Sequence, residues 1–162
     1  MIKNIIAQAG EPASTDRQSQ PNPPKRILVV DDELLLRQIY TEVLTHADYE
    51  VDTVEDGAVA WDALQVKGYD LLITDNNMPK VTGVDLLKKV HAARMTLPVI
   101  MATGTYPDEE FTRYPWLQPD AMLLKPYSIV EFLEAVKAVL CANDDVCAEM
   151  TPPAWQIRTS AA

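Results

Sequence analysis

Ile27-Leu28-Val29-Val30-Asp31-Asp32-Glu33 decides the fold class. Four apolar residues run without a polar break into an acidic triplet. That is the pattern of a strand covered on both faces and ending at a charged rim. Working outward, short apolar runs recur at 51–54, 71–74, 99–102 and 121–124. Four of the five are near-continuous, whereas 51–54 alternates (Val51 and Thr53 against Asp52 and Val54), which predicts an edge strand. Helical stripes lie between the runs. Leu35, Leu36, Ile39, Val43 and Leu44 form the first. Ala60, Trp61, Leu64 and Val66 form a weaker second, closed by Gly68. Val84, Leu86, Leu87, Val90 and Ala93 follow Gly83. Phe132, Leu133, Val136, Val139 and Leu140 form the last, started by Ser128 with Glu131 three residues on, a capping box. A fourth helix opens well at Pro107-Asp108-Glu109-Glu110 but meets Pro115 after about two turns, so it is short or irregular. Strands alternating with helices predict an α/β fold with a doubly wound, five-stranded parallel sheet and right-handed crossovers.

Composition narrows the function. The 162 residues carry a formal charge of −10, which disfavours a nucleic-acid surface or docking on anionic lipid. A hydrophobic share of 48% is enough for a core, which excludes global disorder. No apolar run approaches the roughly 18 residues needed to span a bilayer. Two cysteines, Cys141 and Cys147, are too few for a disulfide scaffold. The apolar start Ile2, Ile5, Ile6 is too short for a signal peptide, so a soluble, cytoplasmic setting is expected. Residues 1–24, ending Pro21-Asn22-Pro23-Pro24, read as a disordered leader, 25–141 as the folded domain and 142–162 as a flexible tail in which Trp155 is the one anchor.

Ligands of an open parallel sheet bind outside the carboxyl ends of its strands. At those ends stand Asp31-Asp32-Glu33, Asp75-Asn76-Asn77, Thr103-Gly104-Thr105 and Lys125-Pro126. Taken singly, each has an ordinary reading. A strand-end aspartate caps or turns, Asp32 is placed to cap the first helix, Thr103-Gly104 is a turn and Lys125 a surface lysine. Taken together they suit phosphoryl chemistry. Three close carboxylates need a cation, and an all-oxygen site that keeps water suits Mg²⁺. Lys125 and Thr103 can meet phosphoryl oxygens, Gly104 leaves room for an anion, and a carboxylate so placed can attack phosphorus.

The set Ile27 to Glu33, Asp75-Asn76-Asn77-Met78-Pro79 with Gly83, Thr103-Gly104 and Leu124-Lys125-Pro126 resembles the receiver domain of two-component response regulators, over residues 25–141. The resemblance implies a flavodoxin-like strand order 2-1-3-4-5. It implies that Asp75 accepts a phosphoryl group from a histidine kinase or histidine phosphotransfer protein, with Thr103 and Lys125 on the phosphoryl oxygens. Asp31, Asp32, Asp75 and the main-chain carbonyl of Asn77 would hold Mg²⁺, and the Lys125–Pro126 bond would be cis. It implies no reaction beyond the domain's own phosphorylation and dephosphorylation.

Two positions depart from the family. Met122 stands where an aromatic is usual, and residues 106–116 are rich in proline and aromatics where the output helix is expected. The response is therefore expected in residues 104–119 more than in the fifth strand. Tyr106, Tyr114 and Trp116 there read either as a partner patch or as packing. His46 and His91 are too far apart in sequence to suggest a metal pair. The flanks show no helix-turn-helix pattern, so a stand-alone receiver with an unknown downstream protein target is expected. A dehalogenase-type phosphatase needs a second aspartate two residues after the first, which neither acidic run supplies. A degenerate receiver that only binds a partner is the remaining alternative, and the intact Asp31, Asp32, Asp75, Thr103 and Lys125 argue against it.

Overall fold

The computed structural model describes residues 23–143. Residues 1–22 and 144–162, with Ile5, Ile6, Cys147 and Trp155, lie outside the described residues. Elements alternate without exception: β1 (Arg26–Val30), α1 (Leu34–His46), β2 (Glu50–Val54), α2 (Gly57–Val66), β3 (Leu71–Thr74), α3 (Gly83–Ala92), β4 (Val99–Thr103), α4 (Asp108–Arg113), β5 (Ala121–Leu124) and α5 (Ile129–Ala142). The five strands pair in parallel in the order β2-β1-β3-β4-β5. This is the expected flavodoxin-like order.

Alternate residues of each strand feed two cores. Ile27, Val29, Leu71, Ile73, Ile100 and Ala102 pack against α1 and α5 through Tyr40, Leu44, Phe132 and Val136. Leu28, Val30, Leu72, Val99 and Met101 pack against α2, α3 and α4 through Leu64, Leu86, Leu87 and Phe111. Covering both faces explains the unbroken apolar runs. β2 is an edge strand with no fully buried residue, as its alternation predicts. β5 is the other edge, and there the unbroken run Ala121 to Leu124 overstates burial, since Leu124 is 45% exposed.

Four local expectations are corrected. On α1, Leu35 and Ile39 face outward, and the buried residues are Tyr40 and Leu44. Tyr40 belongs to the stripe because its ring stacks on Phe132. On α2, Val66 is exposed and Gly68 does not close the helix. Lys67 is the C-cap in extended backbone, its N–H returning to the Ala63 carbonyl, and no glycine among the described residues has positive φ. Asp32 does not cap α1. Glu33 occupies that position without a side-chain bond, and its own N–H donates to Asp31 Oδ1. Ala93 is the exposed C-cap of α3 rather than part of its buried stripe. The capping box at Ser128 and Glu131 forms as read, and α4 is a six-residue helix ending before Pro115. Helices α1 and α3 end in Schellman turns whose left-handed residue is Asp48 or Arg94 instead of glycine.

Candidate functional site

Four adjacent strands deliver the site. Asp31 and Asp75 are the first residues beyond β1 and β3, Thr103 is the last of β4 and Lys125 the first beyond β5. Backbone bonds continue the ladder past the strand ends. Asp31 N–H donates to Val54 O, Asp75 N–H to Val30 O and Lys125 N–H to Thr103 O. The peptides that carry the site are therefore held as firmly as the sheet.

Side chains then converge. Lys125 Nζ donates to Asp75 Oδ2 at 2.7 Å and to Asp31 Oδ2 at 3.3 Å. The remaining oxygens accept from backbone. Asp31 Oδ1 takes the Glu33 N–H at 2.8 Å and Asp75 Oδ1 the Asn77 N–H at 2.9 Å. Asp31 and Asp75 are buried, and Asp32 is exposed beside them. Each of the three offers a carboxylate oxygen within 4.8 Å of the other two, the one such acidic group among the described residues. Burial raises the Asp31 carboxyl above its ordinary range, although the Glu33 N–H and the Lys125 charge pull the other way. Burial pulls the Lys125 ammonium down, but its bond to Asp75 and the charge of Asp31 outweigh that and leave it above ordinary. Lys125 thus stays charged, one cation between three carboxylates.

Hard oxygen donors, two buried and one open to water, fit a small divalent cation that keeps part of its hydration shell. Asn77 is fixed through its N–H to Asp75, which sets its peptide at the edge of this group. Thr103 is fully buried, and its hydroxyl has only long contacts to the Thr105 main chain, 3.3 Å to O and 3.4 Å from N. A Cβ added at Gly104 would meet no atom within 4 Å, so the rim is open there. The Lys125–Pro126 peptide is cis, as expected.

Other supports were not read from the sequence. Arg37 Nη1 donates to the Asp31 carbonyl at 2.6 Å. Asn76 Oδ1 accepts the Val84 N–H at the start of α3. At Gly83, a Cβ would lie 2.4 Å from the Asp75 carbonyl oxygen, so only glycine lets α3 approach the Asp75 loop. Of the candidate partner patch, Tyr114 is half-buried and in edge contact with Trp116, which is 60% exposed and also touches His91. Tyr106 packs on Phe111. The packing reading holds for these rings, and Trp116 is also exposed. His91 thus meets an aromatic ring, and neither histidine joins the acidic group.

The response regulator receiver domain family model matches residues 27–137. The chain belongs to this family. It is 33% identical over 121 residues to the response regulator ArlR of Staphylococcus epidermidis, covering 74% of this chain and 54% of that protein. It is 32% identical over 127 residues to the sensor histidine kinase RcsC of Salmonella typhi, covering 78% of this chain and 13% of that protein. The chain therefore spans about half, or far less, of the curated relatives it matches. Among solved structures it is similar to the chemotaxis protein CheY4 of Vibrio cholerae, at 30% identity and a TM-score of 0.66, covering 72% of this chain and 98% of that one. It is also similar to the response regulator TrrA of Thermotoga maritima in complex with Mg²⁺ and BeF, at 32% identity and a TM-score of 0.64, covering 71% of this chain and 98% of that one. This receiver is thus a module of two-component signal transduction, and no described helix is long and apolar enough to cross a membrane.

Proposed function

We propose that this receiver takes a phosphoryl group onto Asp75 from a histidine kinase or histidine phosphotransfer protein, and passes it on or signals by a change of shape. The observation that carries this is the buried Asp31–Lys125–Asp75 cluster, with exposed Asp32 beside it, at the carboxyl ends of the strands. Asp75 is the acceptor because it ends the middle strand, between the acidic pair and Lys125. Its carboxylate attacks phosphorus, forming an O–P bond while the donor's P–N bond breaks and its electron pair stays on the imidazole. Lys125 then turns from carboxylate to phosphoryl oxygen, and the loosely held Thr103 hydroxyl turns in to donate a charge-assisted bond. Asp31, Asp32, Asp75 and the Asn77 carbonyl are the residues that would hold Mg²⁺, which when bound supplies charge neutralisation at the phosphoryl oxygens.

The donor has a surface to meet. Exposed Ile39 on α1 and Ile129 on α5 line, with Lys125, an apolar groove between the two helices. Met122 is half-buried and carries no donor, so the response leaves through residues 104–119. The complete site weighs against a receiver that only binds. Residues 25–141 form the folded unit in this reading, and kinase-fed signalling sets it in the cytoplasm.

Incubation with acetyl phosphate and Mg²⁺, followed by mass mapping, tests the proposal. One phosphoryl group on Asp75, absent in Asp75→Asn, is expected. Labelling that survives that substitution, or a labelled His46 or His91, would overturn it.

A further inference from the structure

Tyr40 and Tyr127 point their hydroxyls at each other and share a hydrogen bond across 87 positions of sequence. Tyr40 lies on α1 and is almost fully buried; Tyr127 lies two residues beyond Lys125, in the connection from β5 to α5. Both rings stack on Phe132, with centroids 4.8 Å and 6.2 Å away. They line a groove of about 320 Å³ together with Lys125 and Pro126. One turn earlier on α1, Arg37 is bonded to the Asp31 carbonyl. Helix α1 is therefore tied at one point to the loop that carries Asp31 and at a second to the loop that carries Lys125.

Resting on the reading of Asp75 as acceptor, we propose that the Tyr40–Tyr127 hydroxyl pair is a positioning latch that holds the Lys125 loop at working distance from the acidic pair. The main-chain bond from Lys125 to Thr103 fixes where the lysine leaves the sheet. It does not fix the loop beyond, and no described hydrogen bond other than that of Tyr127 ties residues 126 and 127 to another element. Both tyrosines are buried enough that their phenols lie above the ordinary range and stay neutral, so the latch persists across physiological pH. A catalytic charge displaced by about 1 Å can lose roughly a hundredfold in rate.

The test separates positioning from packing. Removing one hydroxyl leaves its partner unpaired, on buried Tyr40 or half-buried Tyr127, which destabilises, whereas removing both leaves two apolar rings and little loss. Tyr40→Phe and Tyr127→Phe are therefore expected to melt below wild type, and the double variant close to it. Phosphorylation by acetyl phosphate with Mg²⁺ is expected to slow roughly fivefold in all three variants, the double included. The ¹⁵Nζ resonance of Lys125 in metal-free protein is expected to move towards that of an exposed lysine in all three. Rates that follow stability, recovering in the double variant, or an unmoved Lys125 resonance, would overturn the latch. If wild type is not labelled at Asp75, the functional reading fails instead, and the resonance still decides the latch.

Discussion

At the rim where the strands begin, carboxylates and cations meet in exposed pairs: Arg26 with Glu50, Lys25 with Asp70, and Lys67 with Asp52 on the edge strand. At the rim where the strands end, Asp31, Asp32 and Asp75 crowd together, Lys125 pairs with the two of them that are buried, and Asp32 is exposed. The residue types are the same, and the balance differs. On the first rim each charge has its own partner and water besides, so the pairs close loops and add little. On the second, two buried carboxylates share one ammonium, so the pocket holds surplus negative charge ready for a cation. Evenly matched exposed charges are structural, while buried unmatched charges mark the site.

Crowding a residue against the second rim should give the largest effect. Gly83→Ala forces a methyl group against the Asp75 carbonyl and is expected to cost about 1–3 kcal/mol in urea titrations. Arg26→Met, at the first rim, should leave the titration midpoint within its scatter. If the two variants behave alike, the contrast between the rims fails.

Mg²⁺ should act on one rim only. At a tenfold excess over its dissociation constant, a single site adds about 1.4 kcal/mol. The resulting rise in Tm should vanish when Asp31 and Asp32 are both replaced by alanine. It should persist when Glu50 and Asp70 are replaced instead.

A smaller effect comes from pH. Burial and the bond to Asp52 push the Tyr69 phenol up to about 12. The folded state then holds that proton more tightly than the unfolded chain, which releases it near 10. Stability should fall as pH rises from 10 towards 12, and Tyr69→Phe should make that slope shallower, the remainder coming from other raised phenols such as Tyr40 and Tyr127. Burial pushes the Asp52 carboxyl up, but bonds from Lys67 and Tyr69 outweigh it and leave it below ordinary. Its contribution is present above the unfolded value and is lost as pH falls through the folded one. Asp52→Asn should flatten that acid limb, read by urea titration at successive pH values. The smallest effect is Arg94→Gly at the left-handed end of α3, expected to stabilise by about 0.5 kcal/mol, since relief of the backbone is partly offset by added chain entropy.

What the sequence made legible follows the same division. The strands and the residues at their carboxyl ends were readable, because apolar runs and strand-end polar groups are local signals, whereas the strand order came only from the family resemblance. The helix faces were less so. Leu35 and Ile39 look like core by spacing, yet Tyr40 takes the buried place, because a ring that stacks on Phe132 from another helix leaves no local mark. Tyr40 to Tyr127 escaped for a related reason, since it joins elements that only the tertiary fold brings together, while Arg37 to Asp31 is a local contact over six residues that follows no sequence pattern. Gly83 was noticed as part of a motif, but its need appears only when the Asp75 carbonyl is seen beside it. Gly68 misled because a glycine after a helix is a common stop, while here the chain simply extends at Lys67.

In the proposed function, the carboxyl rim alone receives a phosphoryl group. Amide NMR of the ¹⁵N-labelled protein, with Mg²⁺ and then with added beryllofluoride as phosphoryl mimic, tests it most directly. Shifts are expected at residues 31–33, 75–77, 103–105 and 125, spreading with the mimic into 106–119 more than into 121–124. Still signals are expected at Arg26, Glu50, Asp70 and Asp120, with no response to beryllofluoride in Asp75→Asn. Shifts of equal size at the opposite rim, or a response that survives Asp75→Asn, would contradict it.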